Sequence, residues 1–179
     1  YRTMVRDVLD GHRAIGVVQI QEGPPIDDHG HPPLAKVAGV GSLVDCVELS
    51  NGRYNIMLRG RARVAIHELP FVSPYRRASC EVLPTTEDAL QPHAVPALLA
   101  AVTAFVSALQ KREARFEFRL PKGASPEVVV NHCAQHLLID GKDRQRILEI
   151  DSLRERAARL TEMVALQQLS LSRASSAAN

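Results

Sequence analysis

The strongest β pattern in the chain lies in residues 39–66, which read GVGSLVDCVELSNGRYNIMLRGRARVAI. Within it, Asn51-Gly52 is typical of a two-residue type I′ turn, because both residues tolerate positive φ angles. The run after the turn, Arg53–His67, alternates apolar and polar residues, which predicts a strand with one buried face. Gly60 interrupts this alternation and predicts a β-bulge. A hairpin of two long strands follows, with Val37–Leu49 as its first strand.

The segments on either side of this hairpin extend the β half of the chain. Residues 1–10 place apolar side chains at helical spacing, and Ala14–Gln21 is rich in β-branched residues, which favours a strand. Glu22–Pro33 is rich in Pro, Gly, Asp and His, a composition typical of a surface loop. Tyr75–Leu83 can supply one more strand.

After Pro84 the apolar spacing changes from two residues to between three and four, which predicts helices. We expect helices over Ala94–Arg112, from Ser125-Pro126 onward, over Asp143–Ile150, and after the capping box of Ser152 and Glu155. The final helix carries an apolar stripe, formed by Leu153, Ala157, Leu160, Val164 and Leu171. We favour packing of this stripe within its own bundle, with a homodimer as the alternative. The predicted fold class is therefore α+β, with a small β-barrel in residues 1–84 followed by a C-terminal α-helical bundle in residues 85–179.

Composition narrows the class of protein. Of 179 residues, 45% are hydrophobic and 23% charged, which favours a globular chain over a disordered one. A net charge of +2 does not by itself indicate nucleic acid or an anionic membrane as partner. The three cysteines (Cys46, Cys80 and Cys133) are odd in number and far apart, which favours a reducing cytoplasm. The longest apolar run, 94–109, is shorter than the roughly 18–20 residues needed to cross a bilayer, and no signal peptide is evident, so no membrane partner is expected.

The order of these elements resembles the N-terminal, substrate-binding domain family of Lon-type proteases. The family's Gly-Arg turn, and the Gly-x-x-Arg and β-branched residue that follow it, are matched by Gly52, Arg53, Gly60, Arg63 and Val64. Residues 1–7 (YRTMVRD) resemble the family's short helix, and residues 143–160 (DRQRILEIDSLRERAARL) resemble the stretch that leads into its last helices. The resemblance covers nearly the whole chain and implies a PUA-like β-barrel followed by a helical bundle.

The chain departs from the family at its start, because members usually open with one or two strands before the first helix. We therefore expect a barrel that lacks those strands and exposes a sheet edge, which a preceding segment or a strand swapped from a second copy would cover. The phosphate loop of an ATPase is not found, since Gly141-Lys142 is followed by Asp143 and has no Gly five residues before it.

The resemblance implies a stand-alone bacterial member, without ATPase or peptidase modules. Such a member would recognise unfolded or tagged polypeptides, alone or for a partner protease, and would assist protein quality control without a cofactor or a catalytic residue. Two alternatives stay open: a PUA-like RNA-binding module, and a hydrolase with an unrecognised site.

Four residues of the predicted return strand are our candidates for peptide binding: Met57, Arg59, Arg61 and Arg63. They share one parity and would form a ridge on one sheet face, suited to contact a peptide or RNA. The competing interpretation, which we favour because exposed charged strand faces are common, is a solvated face whose arginines pair with Glu48, Glu68 or Glu81 across strands. RNA binding is disfavoured, because the chain has three Tyr, four Phe and no Trp, and none of them alternates with these arginines.

The sequence gives little support for a metal site or a catalytic site. Asp27, Asp28, His29 and His31 are of the right ligand types, but they fall in the predicted loop, where polar residues gather anyway. His132 and His136 share a helix face, yet Cys133 stands where a zinc peptidase has its glutamate. No G-x-S-x-G nucleophile motif is present, and the cysteines fall within predicted strands or a helix, so we expect neither a metal site nor a catalytic nucleophile.

Overall fold

The structure is a computed structural model that describes residues 1–23, 26–86 and 93–176. It divides into two compact units, Tyr1–Pro84 (unit 1) and Thr85–Asn179 (unit 2). The described residues form a four-stranded antiparallel sheet and five helices, which confirms the α+β class. Among those helices, none combines the length and apolar character that a bilayer crossing requires.

Unit 1 contains one helix and the sheet. Its elements are α1 (Arg2–Asp10), β1 (Ala14–Val17), β2 (Val37–Glu48), β3 (Tyr54–Glu68) and β4 (Ala78–Leu83). Every neighbouring pair is antiparallel, and the strand order is β1-β2-β3-β4. Within residues 1–23 and 26–84, no ladder joins β1 to β4, so both are edge strands. The unit's buried apolar side chains are Val5, Val8, Ala35, Ala38, Leu43 and Val64.

The β2–β3 hairpin closes through a three-residue loop, so the predicted type I′ turn is wrong. The amide of Leu49 donates to the carbonyl of Arg53 at 2.7 Å, and the amide of Gly52 donates to the carbonyl of Leu49 at 2.8 Å. Only Gly52 takes a positive φ, of 71°, while Asn51 instead accepts a hydrogen bond from the Arg53 amide at its Oδ1. A three-residue loop that ends in a left-handed glycine is the next commonest hairpin closure.

Two register shifts interrupt the β2–β3 ladder. At the first, Gly41 pairs with Gly60 and Val40 with Ala62, so Arg61 is the extra residue and the bulge predicted at Gly60 is confirmed. The second shift makes Val44 the extra residue of β2. A bulge ends the simple alternation of faces along a strand, which changes the surroundings of the residues after Arg61.

Two glycines of β2 allow a matched test of packing in the sheet. A Cβ built on Gly41 would lie 3.1 Å from the Leu58 Cβ and 3.3 Å from the Arg59 carbonyl oxygen, whereas one on Gly39 would meet nothing within 4 Å. We expect Gly41→Ala to lower the free energy of unfolding of unit 1 by about 1–2 kcal/mol through overpacking. Gly39→Ala should change it by less than about 0.5 kcal/mol.

Tyrosine fluorescence during urea unfolding measures this difference in unit 1 alone, because all three tyrosines lie at positions 1, 54 and 75. Equal unfolding midpoints for the two glycine variants would contradict the close approach of β2 and β3 at Gly41.

Unit 2 contains four helices within residues 93–176: α2 (Ala94–Gln110), α3 (Pro126–Leu137), α4 (Gly141–Leu148) and α5 (Leu153–Ser176). The predicted caps are present, since the hydroxyl of Ser125 accepts from the Val128 amide at 3.4 Å and that of Ser152 accepts from the Glu155 amide at 3.2 Å. Helix α4 begins before the predicted Asp143, because the Asp140 carboxylate accepts from the Lys142 amide at 2.8 Å.

The stripe of the final helix packs inside its own unit, which confirms the favoured prediction. Leu153, Ala157, Leu160 and Val164 are buried, and Leu171 packs against the same core. Helix α2 contributes Leu98, Val102 and Phe105 to this core. Fully buried side chains of these sizes stabilise a unit by about 1.5–3 kcal/mol each relative to exposure, so the bundle has a substantial core of its own.

Candidate functional site

The β2–β3 hairpin presents a continuous set of side chains on one face. Its cross-strand pairs are Val47–Asn55, Asp45–Met57 and Ser42–Arg59. Directly opposed residues, and alternate residues along one strand, share a face of the sheet. We call these six residues the hairpin face. Its apolar members, Met57 (61% exposed) and Val47, are both exposed large hydrophobic side chains.

The four candidate residues do not share one environment. Met57, Arg59 and Arg61 are exposed. The Arg61 Nε donates to the Ser42 hydroxyl at 2.8 Å, which brings its guanidinium to the hairpin face although it is the bulge residue. Arg63, beyond the bulge, is only 9% exposed, and its Nη2 donates to the carbonyl of Pro84 at 3.2 Å. The expected single ridge is therefore limited to the first three residues.

Within the described residues, the ion pairing around the hairpin face differs from the cross-strand arginine–glutamate pairs that were considered from the sequence. Across residues 1–23, 26–86 and 93–173, neither Arg59 nor Arg61 forms an ion pair. Glu68 is instead engaged by Arg76, whose Nη2 lies 2.6 Å from its Oε2 and whose Nε donates to its Oε1 at 2.7 Å. The hairpin face thus combines adaptable apolar contacts with two solvated guanidinium groups, which suits binding more than bond-making chemistry.

Other exposed apolar side chains of unit 1 were not anticipated. Several of them lie on the edge strands and on the connections between strands: Val17, Ile20, Leu69, Val72 and Val82. Strand parity identifies which residues share a face, but it does not tell an edge strand from a central one, so the sequence held no signal for their exposure.

The Asp27–His31 loop is organised by hydrogen bonds among its own residues. The Asp27 carboxylate accepts from the amides of His31 at 2.7 Å and His29 at 2.9 Å, and these bonds hold the pKa of Asp27 below its usual value. The rings of His29 and His31 both contact Phe71, at centroid distances of 4.9 and 4.5 Å. Among the described residues, no group of three or more His, Cys, Asp or Glu side chains is placed to hold a metal ion.

The histidine pair on α3 likewise makes contacts with neighbouring groups. The rings of His132 and His136 lie 4.3 Å apart, and His132 also contacts Phe118 at 5.5 Å. The Nε2 of His132 is hydrogen-bonded to the carbonyl of Arg119 at 3.0 Å. These contacts fasten the segment before α3 to the helix, which is a packing role for the pair.

The three cysteines have different environments and are all free thiols. Cys80 is exposed on β4, Cys46 is half-buried on β2, and Cys133 is buried in the core of unit 2. Burial raises the pKa of the Cys133 thiol to about 11, which opposes formation of the nucleophilic thiolate.

Unit 2 also carries a groove of about 430 Å³. Its lining combines apolar side chains, among them Ile139 and Met163, with the charged side chains of Asp143, Arg146 and Arg159. Those charges are largely satisfied nearby, since Arg146 pairs with Asp143 at 2.9 Å. The hairpin face is therefore the better candidate for contact with a charged or mixed polypeptide.

Comparison with known proteins gives a family from the sequence and a shared fold from the structure. The model of the ATP-dependent protease La (LON) substrate-binding domain matches residues 1–165. The Lon protease of Cytophaga hutchinsonii is 24% identical over 165 residues, which is 90% of this chain and 20% of that protein. The Lon protease of Flavobacterium johnsoniae is 24% identical over 175 residues, covering 94% and 21% respectively. The chain thus spans about a fifth of the length of these curated relatives.

Two solved structures share the fold. A Lon N-terminal domain protein from Xanthomonas campestris superposes with a TM-score of 0.61 at 18% identity, covering 89% of this chain and 81% of that one. The N-terminal domain of the Mycobacterium avium complex Lon protease gives 0.53 at 12% identity, covering 85% and 90%. With a family model matched over residues 1–165, this chain belongs to the family of LON substrate-binding domains.

Proposed function

We propose that this chain is a non-catalytic module that binds unfolded or tagged polypeptides, and that the hairpin face contributes to the binding. The observation that carries the proposal is the family match over residues 1–165, since the matching model describes a substrate-binding domain. The two units would act as subdomains, residues 1–84 with the sheet and residues 85–179 with the helical bundle.

The hairpin face has the chemistry that such binding needs. Met57 and Val47 are exposed on adjacent strands and can contact apolar side chains of an unfolded segment. Arg59 and Arg61 add donors that reach backbone carbonyls or acidic side chains without first leaving an ion pair. This combination favours broad recognition of polypeptide over a narrow sequence preference.

The relatives named as Lon proteases favour a role in bacterial protein quality control, in the cytoplasm and with a protease as partner. Selection of a polypeptide needs no nucleophile, and the buried Cys133 thiol, with its raised pKa, is not suited to be one. The same module could present substrates to a peptidase without cutting them.

Binding to a permanently unfolded polypeptide tests the proposal. With reduced, carboxymethylated α-lactalbumin as probe, we expect the Met57→Ala, Arg59→Ala double variant to bind about tenfold more weakly, a loss near 1.4 kcal/mol. The matched control is Val128→Ala, Arg119→Ala, which removes an exposed apolar residue and an exposed arginine from unit 2.

Fluorescence anisotropy gives both dissociation constants, and gel analysis of the probe after incubation with and without ATP reports any cleavage. Equal weakening by the two double variants would remove the hairpin face from the proposal. Cleavage of the probe by a clean preparation would overturn its non-catalytic part.

RNA is a second candidate ligand, because Arg59 and Arg61 form no ion pair within the described residues. The salt dependence of binding distinguishes the two ligands. Contacts from two arginines to single-stranded RNA phosphates predict that log K falls with log salt at a slope of about −1.4. We expect polypeptide binding to fall less steeply with salt, because the apolar contacts of Met57 and Val47 contribute to it beside the arginine contacts. Tighter binding of an RNA oligomer than of the unfolded probe, with the steep slope, would favour RNA.

A further inference from the structure

Two histidines of α3 lie side by side on one face of the helix. His132 and His136 are four residues apart, and their ring centroids are 4.3 Å apart with an angle of 48° between the ring planes. A different face of the same helix anchors it in the core of unit 2, where Val130, Cys133 and Leu137 are buried. The packed helix therefore holds both rings where they can bind one ion together.

The surroundings of His132 leave one of its ring nitrogens able to bind a metal ion. The Nε2 lies 3.0 Å from the carbonyl oxygen of Arg119, and a carbonyl oxygen only accepts, so Nε2 carries the proton. Because neutral imidazole has a single N–H, Nδ1 keeps its lone pair. Phe118 also contacts this ring, at a centroid distance of 5.5 Å. Histidine ligands commonly donate their other N–H to a backbone carbonyl in this way, which fixes the orientation of the ring.

The distance between the two rings favours ligand positions at a right angle. A metal–nitrogen bond of about 2.1 Å places an ion about 3.2 Å from the centre of each imidazole ring that binds it. The centres of two such rings lie about 4.5 Å apart at a ligand angle of about 90°, and about 5.2 Å apart at the tetrahedral angle. The observed 4.3 Å is closer to the right-angle value. Square-planar or tetragonal Cu²⁺ and Ni²⁺ have ligands at right angles, whereas protein-bound zinc is usually tetrahedral.

We propose that His132 and His136 form a two-residue chelate for a divalent transition-metal ion, Cu²⁺ or Ni²⁺. His132 binds through Nδ1, and His136, which is exposed one turn further along the helix, binds through a ring nitrogen. Water fills the other coordination positions, since no third His, Cys, Asp or Glu side chain is placed to join the pair within the described residues. The nearby Arg119 guanidinium is paired with Glu117 at 3.0 Å, which reduces its repulsion of a cation.

This inference goes beyond the proposed function and does not depend on it. It also differs from the expectation that the chain has no metal site, because a spacing of four residues shows neither the ring distance nor the hydrogen bond of His132. Cys133 stands where a zinc peptidase has its glutamate, so the chelate lacks the base for hydrolysis. It binds an ion and adds no catalytic step.

Nickel binding to the full chain, prepared without a histidine tag, tests the inference. The folded helix brings the two ligands together and the unfolded chain does not, so Ni²⁺ should raise the urea midpoint of the circular-dichroism signal at 222 nm. His136→Gln removes one ligand, and it is expected to weaken Ni²⁺ binding in titration calorimetry at least about tenfold and to abolish the midpoint shift. His132→Gln should have the same two effects.

The matched control is the double variant His29→Gln, His31→Gln, which removes a second pair of neighbouring histidines, from the loop of unit 1. It should keep both the affinity for Ni²⁺ and the midpoint shift. Because His136 is exposed, its variant should have the wild-type midpoint in the absence of nickel, which verifies that it is folded.

Three results would overturn the chelate. The first is Ni²⁺ binding that His136→Gln leaves unchanged. The second is a loss of binding in the loop control alone, which would place the ion on unit 1. The third is wild-type binding no tighter than that of free imidazole, which would show that the two rings do not act on one ion.

Discussion

The Arg156→Ala variant is expected to lose about 2–4 kcal/mol of the free energy of unfolding of unit 2. Arg156 lies on α5 and is 0% exposed, the largest fully buried side chain among the described residues. Its exposed neighbour on the same helix, Arg159, pairs with Glu162 at 2.8 Å in a surface i,i+3 arrangement. Arg159→Ala should therefore cost less than about 0.5 kcal/mol.

The buried guanidinium joins three parts of unit 2. Its Nε and Nη2 donate to the carbonyl of Ile150 at 3.1 and 2.8 Å, and its Nη1 donates to the Oδ1 of Asn131 at 2.9 Å. The Nη1 also lies 3.7 Å from the Glu127 carboxylate. Alanine would leave the Ile150 carbonyl and the Asn131 amide oxygen without these donors, and would open a cavity where the side chain was.

Urea unfolding followed by circular dichroism at 222 nm reports mainly the helices of unit 2. Arg156→Lys should lose an intermediate amount, because it keeps the charge but not the planar fork of donors. A loss below about 1 kcal/mol for Arg156→Ala, at an unchanged m-value, would show that the network contributes little net stability.

The sequence identified local features well, because their causes lie within a few residues. Asn51-Gly52 located the hairpin and Gly60 its bulge, and Ser125 marked the start of a helix. The turn type was missed, since the choice between two and three loop residues depends on how Leu49 and Arg53 pair. Phe105 follows Val102 by three positions, and this helical spacing places both side chains in the buried core of unit 2.

Of the candidate site, parity predicted the exposure of Met57, Arg59 and Arg61 but not the burial of Arg63. The bulge at Arg61 changes which side the following residues face, and no pattern in a single strand shows what packs there. The edge position of β4 and the network of Arg156 depend on residues far apart in the chain. The periodicity of a single segment carries no information about such long-range placement.

Cys133 is expected to react with iodoacetamide at pH 8 at least about 100-fold more slowly than Cys80 in the native chain. Burial raises the pKa of the Cys133 thiol from the ordinary value near 9 to about 11, so roughly 100-fold less thiolate forms at a given pH below 9. The reagent must also reach a side chain that is fully buried, while Cys80 is exposed on β4. Peptide mapping by mass spectrometry gives the two rates from one sample.

The raised pKa of Cys133 sets the direction in which the stability of unit 2 changes with pH. Because the thiol pKa is raised on folding, the native state holds the proton more tightly than the unfolded chain. The resulting stability is fully present below pH 9 and is lost as pH rises towards about 11. Protection of Cys133 should therefore fall across this range. A labelling rate within tenfold of that of Cys80 at pH 8 would contradict the buried environment.

The same measurement gives an independent check on Arg156. Cys133 becomes reactive when unit 2 opens, so its rate follows the free energy of opening where reclosing outpaces labelling. A loss of about 2–4 kcal/mol in Arg156→Ala then predicts labelling of Cys133 faster by about 30- to 1000-fold, at roughly 1.4 kcal/mol per factor of ten. Cys80 lies in unit 1, and its rate should stay the same. The exposed Cys80 reacts without opening and serves as the reference rate, so an unchanged rate of Cys133 in Arg156→Ala would contradict the loss of stability in unit 2.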